Sequence, residues 1–390
     1  MTEIRLVEGE ERLRFGRPLT AYAFEASPRT DDLTELRRHL SIGHRRVHVL
    51  FDDGEPRSTA TVVEMTQNVR GALLPMGGVA GVATHPAGRR RGFAREMLTH
   101  VLADMRDQGQ VVSALYPFRA SFYERFGYVG IGAEPRATLH PADLAPLLRA
   151  DVPGEVTLTR LPEVAADVRA VTEAAQRTTH GMALRADPEL AAAHADDRTW
   201  AAVARVDGRP AGYLTYEIRE YGGELSVQRF QYDGAVARTL LLGWLARHTD
   251  QVTTVSLPLR PVDEPATWVT DIDVTVRSRQ APLHEPAPMV RVLSVPGLAG
   301  IPVGTGEVTV RVVDDLVGGV WTFAGNGTLS VHPGGTPTAE LTGHGLAALV
   351  YGVLDPADLP LRGYGTLDAP TADALRVLFP RATPFLLEHF

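Results

Sequence analysis

The chain has 390 residues, 44% hydrophobic and 22% charged, which is the profile of a soluble globular protein too long for one ordinary core. A formal net charge of −8 argues against general nucleic-acid binding and mildly favours cationic partners. The absence of cysteine excludes disulfides, thiolate catalysis and Cys-based zinc sites. No apolar run reaches the roughly 18 to 20 residues needed to cross a bilayer. Met1 to Arg14 is charged throughout and lacks the apolar core of a signal peptide. The expectation is a cytoplasmic protein without membrane contact, with export that uses no signal peptide left open.

Residues 1–145 read as one α/β domain. Leu33–Leu40 suits a helix. Val47–Asp52 and Thr59–Met65 suit two strands around the hairpin signal Asp53-Gly54. Pro75–Thr84 supplies the next strand, and its apolar, β-branched end at Val79–Thr84 suits burial. His85-Pro86-Ala87-Gly88 cannot continue it, because proline lacks an N–H and glycine breaks the pattern. From Gly92 on, Phe93, Ala94, Met97, Leu98, Val101, Leu102 and Met105 recur at helical spacing, and Gly109 ends the helix. Strand, basic loop and helix start together form an anion site. Unpaired backbone N–H groups, the positive helix end and Arg89, Arg90 and Arg91 converge there, and Gly92 and Ala94 are small enough for close approach. The expectation is a pyrophosphate cradle; the bland alternative is an Arg-rich surface turn. Val111–Tyr116 is a further strand, and Phe122, Tyr123 and Phe126 fit a short helix stopped by Gly127.

Residues 146–288 repeat part of this grammar. Trp200–Val206, a turn at Asp207–Pro210, Ala211–Ile218 and Leu225–Tyr232 read as strands, and Ala235–Arg247 as a helix. The link Asp233-Gly234-Ala235-Val236-Ala237 carries no basic cradle. An unrelated α/β domain with an ordinary hairpin is the alternative. Pro282, Pro286 and Pro288 mark a linker. Residues 289–390 read as a third, α+β domain, with strands at Val308–Val313 and Gly327–His332 and helices at Leu346–Val353 and Thr371–Leu378. Asn326-Gly327-Thr328 is read as a turn. The apolar ending Phe385, Leu386, Leu387 and Phe390 points to a docked tail rather than a frayed one.

The loop Arg89-Arg90-Arg91-Gly92-Phe93-Ala94 matches the R/Q-x-x-G-x-G/A pattern of the GCN5-related N-acetyltransferases (GNAT), and Phe122 to Tyr128 resembles a second mark of that family. The central domain resembles a GNAT domain that has lost the loop, and the third resembles the sterol-carrier-protein fold. The whole order resembles the enhanced intracellular survival (Eis) family of N-acetyltransferases. That resemblance implies acetyl transfer from acetyl-CoA, as co-substrate, to amines of aminoglycosides at one or several positions, no metal, and a homohexamer. It places Val82, Ala83 and Thr84 along the pantetheine arm and Arg90, Arg91, Gly92, Phe93, Ala94 and Arg95 around the pyrophosphate. Phe118 and Arg119 fall at a further cofactor contact, where a small and an acidic residue are usual. Tyr123 matches the general acid and Phe390 the residue whose own α-carboxylate is the general base. His389 stands where a glutamate is expected, so one anionic group near the amine is missing.

The alternatives for each residue are ordinary ones. Tyr123 could be a core tyrosine, and Tyr128 nearby is read as packing. His85 and His389 have no H-x-x-x-H partner. Glu25, Asp31, Asp32 and Glu64 could line a cationic substrate site or be plain surface acids; Tyr22 and Phe24 could be its apolar wall or core. The competing functions are an acetyltransferase for protein lysines or polyamines, and a lipid-binding carrier whose GNAT parts are scaffold.

Overall fold

Runs rich in buried apolar and β-branched residues build much of this chain as strands. The computed structural model describes residues 1–24, 44–185, 199–278 and 287–390. Strand β1 (Thr2–Val7) and helix α1 (Arg17–Phe24) precede β2 (Arg45–Asp52). Asp53 and Gly54, both left-handed at φ 52° and 80°, turn the chain into β3 (Glu55–Val69). A second left-handed pair, Arg70 and Gly71, leads into β4 (Ala72–Thr84). Helix α2 (Phe93–Asp107) follows and buries Phe93, Met97, Leu98, Val101, Leu102 and Met105 on one face. Then come β5 (Val112–Leu115), the one-turn α3 (Ala120–Tyr123), and β6 (Val129–Gly130).

The middle of the chain holds β7 (Arg136–Leu139), β8 (Glu155–Arg160), α4 (Ala165–Thr178), β9 (Ala183–Arg185), β10 (Trp200–Val206), β11 (Arg209–Ile218), β12 (Glu224–Tyr232), α5 (Gly234–Ala246), β13 (Thr254–Pro258) and β14 (Val274–Arg277). The last part holds β15 (Met289–Val292), β16 (Pro302–Val313), β17 (Gly319–Pro333), β18 (Ala339–Thr342), α6 (Gly343–Tyr351), β19 (Gly365–Thr366) and α7 (Ala369–Leu378).

By compactness the chain divides into two units. One comprises Met1–Gly132, His180–Asp187 and Ala281–Phe390, the other Ala133–Thr179 and Pro188–Gln280. The first unit contains a sheet ordered β1-β2-β3-β4-β5-β15-β6, with β9 pairing the end of β3, and a separate sheet ordered β17-β16-β18-β19. The second contains the sheet β14-β7-β13-β12-β11-β10-β8.

This division departs from three consecutive blocks. Residues 289–292, expected only as the start of a third domain, form a strand between β5 and β6 of the first sheet, where Met289, Val290 and Val292 are buried. Arg136–Leu139, expected in the first domain, pairs with β13 and β14 of the second unit. Both are short strands whose partners lie far away in sequence, and local pattern carries no signal of that. Asn326-Gly327-Thr328 is not a connecting turn but part of β17, at an irregularity opposite Pro302–Thr305 where Gly327 adopts φ 84°. Strands β1, β6, β7, β8, β9, β13, β14, β15, β18 and β19 and helices α1 and α4 have no counterpart among the sequence expectations. The expected helix at Leu33–Leu40 lies outside the described residues, as do Pro282 and Pro286. No helix among the described residues is long and apolar enough to cross a membrane.

Within the first unit the β3–β4 turn grips the C-terminal part. Arg70 donates from Nε to Val350 O (2.7 Å) and from Nη2 to Leu349 O (2.8 Å) and Pro380 O (2.8 Å). It thereby meets Val350 O at the end of α6 and shares Leu349 O with the N–H of Gly352. His180 Nδ1 accepts from Arg70 N (3.0 Å), and its Nε2 lies 3.0 Å from Tyr351 O. Tyr351, fully buried, donates to Gln67 Oε1 (2.6 Å), and Gln67 Nε2 donates to Gly181 O (2.8 Å). Beyond α7 the chain runs without regular structure to Phe390, and Phe385 N donates to His180 O (2.8 Å).

Burial lowers the His180 pKa to about 4, and its Nδ1 must stay unprotonated to accept from Arg70. The unfolded imidazole binds its proton near 6.5, so the unfolded state gains protons first as pH falls. Stability is therefore complete above about pH 6.5 and declines down to about pH 4. A Tm series across that window should fall steadily; a flat series would contradict a buried neutral imidazole.

Candidate functional site

The first sheet contains a fork. Strands β4 and β5 run parallel only from Met76–Val112 to Val79–Leu115; β5 then ends, while β4 continues to Thr84. Just beyond the branch, Gly81 and Val82 stand opposite Ala60 alone, with Gly81 at φ 56°. This bulge takes backbone groups of Gly81–Val82 out of the regular ladder and aims them elsewhere. Val82 packs on the core formed by Phe93, Leu98 and Tyr123. Ala83 is buried, and its carbonyl accepts from Ser58 Oγ (3.0 Å), which also lies 3.1 Å from Thr84 Oγ1.

At the open end of β4 the chain makes a short 3₁₀ turn, Pro86–Gly88, before α2. Arg90 and Gly92 are left-handed at φ 63° and 90°, a backbone curl that turns successive N–H groups to one side. Among the described residues no acceptor is found for the N–H of Arg90, Arg91, Gly92, Phe93 or Ala94. A Cβ built on Gly92 would meet nothing within 4 Å, so the space before the helix is open. These unpaired donors at the positive end of a helix of 15 residues fit a pyrophosphate.

The arginines divide the work. Arg91 Nη1 pairs with Asp52 Oδ2 at 2.8 Å, and its guanidinium lies 4.7 Å from the Phe93 ring centre, so it braces the loop against β2. Arg89 lies 5.9 Å from the Tyr22 ring centre. Arg90 and Arg95 are exposed beside the curl. Phe93 turns its ring into the core under Gly88 and leaves only its backbone to a ligand.

On the other arm of the fork, the chain after β5 carries Tyr116, Phe118, Arg119 and Tyr123. Phe118 is 45% exposed, and its ring centre lies 5.7 Å from that of Tyr123; Arg119 is exposed at the start of α3. Tyr123 is 4% exposed, and its hydroxyl has no hydrogen-bond partner among the described residues. Burial pushes its pKa above the ordinary phenol value, with Tyr128 adding to the rise. Tyr128 is also buried, and burial raises it to about 12, but its hydroxyl is engaged with Ser113 Oγ at 2.7 Å. Of the two phenols, only that of Tyr123 has its proton uncommitted.

The C-terminus arrives at the crotch of this fork. A Cβ on Gly78, which pairs with Ala114 one step before the branch, would lie 2.8 Å from Cδ2 and Cε2 of Phe390. The terminal ring therefore rests directly on the β4 backbone, in room that only glycine leaves. Tyr116 flanks it with ring centres 5.9 Å apart, stacks on His389 at 4.4 Å, and donates from its hydroxyl to Leu386 O (3.1 Å). Sequence reasoning missed Gly78 and Tyr116. The pair Gly77-Gly78 inside a strand was the available signal, since strand glycines often mark a close approach.

The second unit has the same fork and has filled it. Strands β12 and β13 pair in parallel only over Glu224–Ser226 and Thr254–Ser256. Arg136 Nη2 then donates both to Val227 O (2.8 Å), the first residue past the branch, and to Ser256 O (3.1 Å). A protein side chain thus occupies the backbone acceptors that a cofactor arm could otherwise use.

The remaining candidates are placed differently. Glu64 pairs with Arg46 Nη1 (2.8 Å) and His44 Nδ1 (3.0 Å). Tyr22 and Phe24 are 62% and 64% exposed, so they are not core; Tyr22 borders a cavity of about 270 Å³ with Phe15, Arg57 and His85. Glu25, Asp31 and Asp32 lie outside the described residues. Among the described residues no group of three or more His, Cys, Asp or Glu could hold a metal ion.

Comparison with known proteins agrees with this geometry. Residues 3–130 match one acetyltransferase (GNAT) domain family and residues 174–292 match another. No curated protein matches. Among solved structures, a GCN5-related N-acetyltransferase from Kribbella flavida superposes with a TM-score of 0.83 at 24% identity, covering 100% of this chain and 99% of that one. One from Anabaena variabilis superposes at 0.83 with 19% identity, and Eis1 from Mycobacterium abscessus at 0.79 with 21%, both over 100% of each chain. At these identities the likeness is one of fold. The chain carries two GNAT domains.

Two results are expected. Calorimetric titration should find one CoA per chain, because the second fork is filled; two equivalent sites would contradict the role of Arg136. Gly92→Ala forces a side chain into left-handed backbone at a cost of roughly 1–2 kcal/mol. Where the free loop relaxes and CoA must restore the curl, binding should weaken about 5- to 30-fold with little change in Tm; wild-type affinity together with wild-type Tm would contradict the role of the curl.

Proposed function

We propose that this chain, an acetyl-CoA-dependent N-acetyltransferase, acetylates primary amines of aminoglycosides at one or several positions, with Tyr123 as general acid and the Phe390 α-carboxylate as general base. The observation that carries the reading is the terminal ring seated on Gly78, at the branch of the fork. Acetyl-CoA supplies an activated acetyl group. Its pyrophosphate suits the N–H groups from Arg90 to Ala94 with Arg90 and Arg95 beside them, and its pantetheine arm suits the bulged stretch Val82–Thr84. Phe118 and Arg119 border the outer part of the fork.

The incoming amine is an ammonium at neutral pH. The terminal carboxylate attracts the cation and takes its proton, directly or through a water. Tyr123 keeps its own proton because burial disfavours the phenolate. It gives that proton up as negative charge grows on the departing sulfur, where dry surroundings make an unprotonated thiolate costly. A backbone N–H of the bulge at Gly81–Val82 is suited to polarising the acetyl oxygen.

An Eis-type assignment draws support, at the level of fold, from the full-length likeness to Eis1. The net charge of −8 suits a polycationic substrate. Polyamines and protein lysines share the amine chemistry and form the alternative substrates. A homohexamer, a cytoplasmic site of action and a sterol-carrier-like origin for the sheet β17-β16-β18-β19 belong to the same proposal.

Thiol release from acetyl-CoA should be followed with kanamycin, spermidine and a lysine peptide; the reading expects kanamycin to be turned over fastest, with multiply acetylated product by mass spectrometry. Tyr123→Phe, and a chain extended by one glycine after Phe390, should each lower kcat by roughly 10²-fold or more. Wild-type turnover by both variants would refute the acid and base assignments.

A further inference from the structure

The terminal carboxylate is useful only if the tail ends in the right place, and a tail without regular structure has no ladder of its own to set its register. We infer that Arg185 is the positioning residue that sets it. The inference rests on the proposed role of Phe390 and adds a residue that nothing in the loop or helix motifs points to.

Arg185 ends β9, a strand of three residues that pairs with β3 so that Arg185 faces Met65. Met65 also bounds the seat of the terminal ring, with its Sδ 3.0 Å from the Cβ position of Gly78. Arg185 is only 8% exposed. Its Nη2 donates to His389 O at 2.6 Å, and its Nε approaches Glu388 Oε1 at 3.2 Å. The bond to His389 is the directional contact; the approach to Glu388 is an ion pair without hydrogen-bond alignment. One planar guanidinium therefore holds the two residues immediately before Phe390, one through its backbone and one through its charge.

Other contacts bring the tail to this point. Phe385 N is held by His180 O, and Leu386 O by the Tyr116 hydroxyl. Between Leu386 and the terminus, Arg185 grips Glu388 and His389, while His389 stacks on Tyr116 and the Phe390 ring rests on Gly78. A slip of one residue moves an extended chain by about 3.4 Å. A misplacement of about 1 Å at a reacting group can already cost on the order of 10²-fold in rate. A buried guanidinium is expensive to desolvate, and mere adhesion of an apolar tail does not require one. A carbonyl hook with fixed geometry, one residue from the catalytic terminus, does explain it.

The experiment compares wild type, Arg185→Met, Arg185→Lys, Glu388→Ala and the chain extended by one glycine, each as the full protein. Readouts are kcat, KM for the amine, CoA affinity by titration, Tm, and the pH profile of kcat/KM. Arg185→Met should lose roughly 10- to 100-fold in kcat with CoA affinity unchanged within twofold. It should also share the flattened acid limb of the extended chain. Arg185→Lys should recover part of the loss, because a lysine can pair with Glu388 but lacks the rigid fork. Glu388→Ala, which leaves the hook on His389 O, should lose less than Arg185→Met. If the extended chain turns over like wild type, the terminal base is wrong and the positioning role falls with it. If the extended chain is slow but Arg185→Met keeps wild-type kcat and pH profile, the terminal base stands and Arg185 is not its positioner. If Arg185→Met loses activity only in proportion to its folded fraction or CoA binding, Arg185 is a structural arginine and the inference is overturned.

Discussion

Guanidinium groups that hook backbone carbonyls are the constraint on which the first unit depends. A guanidinium taken out of water is costly unless its donors are met, and carbonyls at helix ends and in irregular chain are the acceptors most in need of donors. Arg70 joins the β3–β4 turn to the end of α6 and to Pro380. Arg185 joins β9 to His389. From Pro380 to Phe390 the last eleven residues cross to the fork of the first sheet without a regular element of their own. The strand Met289–Val292, paired on both sides between β5 and β6, ties the same C-terminal part into that sheet. The fork and the chain terminus thus belong to one core, although more than 300 residues of sequence separate Gly78 from Phe390.

The two GNAT domains show how little separates a site from a scaffold. Both sheets split after a short parallel pairing, and both continue into a helix. In the first, the N–H groups from Arg90 to Ala94 find no acceptor among the described residues, and the Phe390 ring rests on Gly78 at the branch. In the second, Arg136 spends its donors on Val227 O and Ser256 O, and Asp233 and Gly234 stand in place of a basic loop. The backbone topology is shared; the side chains at the branch differ. All 39 basic side chains of the protein are arginine, and it has no lysine. No lysine ε-amino group is therefore available to the enzyme's own chemistry.

How much of the site could be read in advance depended on how local its physics is. The loop Arg89–Ala94 was legible because everything that makes it an anion site lies within about fifteen consecutive residues: the strand end, the glycine that permits left-handed backbone, and the periodic apolar face of α2. Even there the roles needed coordinates, since Arg91 braces Asp52 and Phe93 turns inward. Tyr123 and Tyr128 looked alike in sequence. They differ because Ser113, on β5, reaches one hydroxyl and nothing described reaches the other.

The loop pattern and the stretch Phe122–Tyr128 pointed to a GNAT acetyltransferase by resemblance, and the periodicity of α2 and the apolar ending pointed to a helix behind a basic cradle and to a docked tail. Those features rest on short-range rules of backbone conformation and burial, which a sequence carries explicitly. Where the tail docks, which strand Met289–Val292 joins, how Arg136 fills the second fork and why Arg185 is buried were decided only by tertiary structure. Each is a pairing between segments from about 90 to more than 300 residues apart. Its energy depends on register and on the space left by neighbours, and neither exists until the sheets have formed.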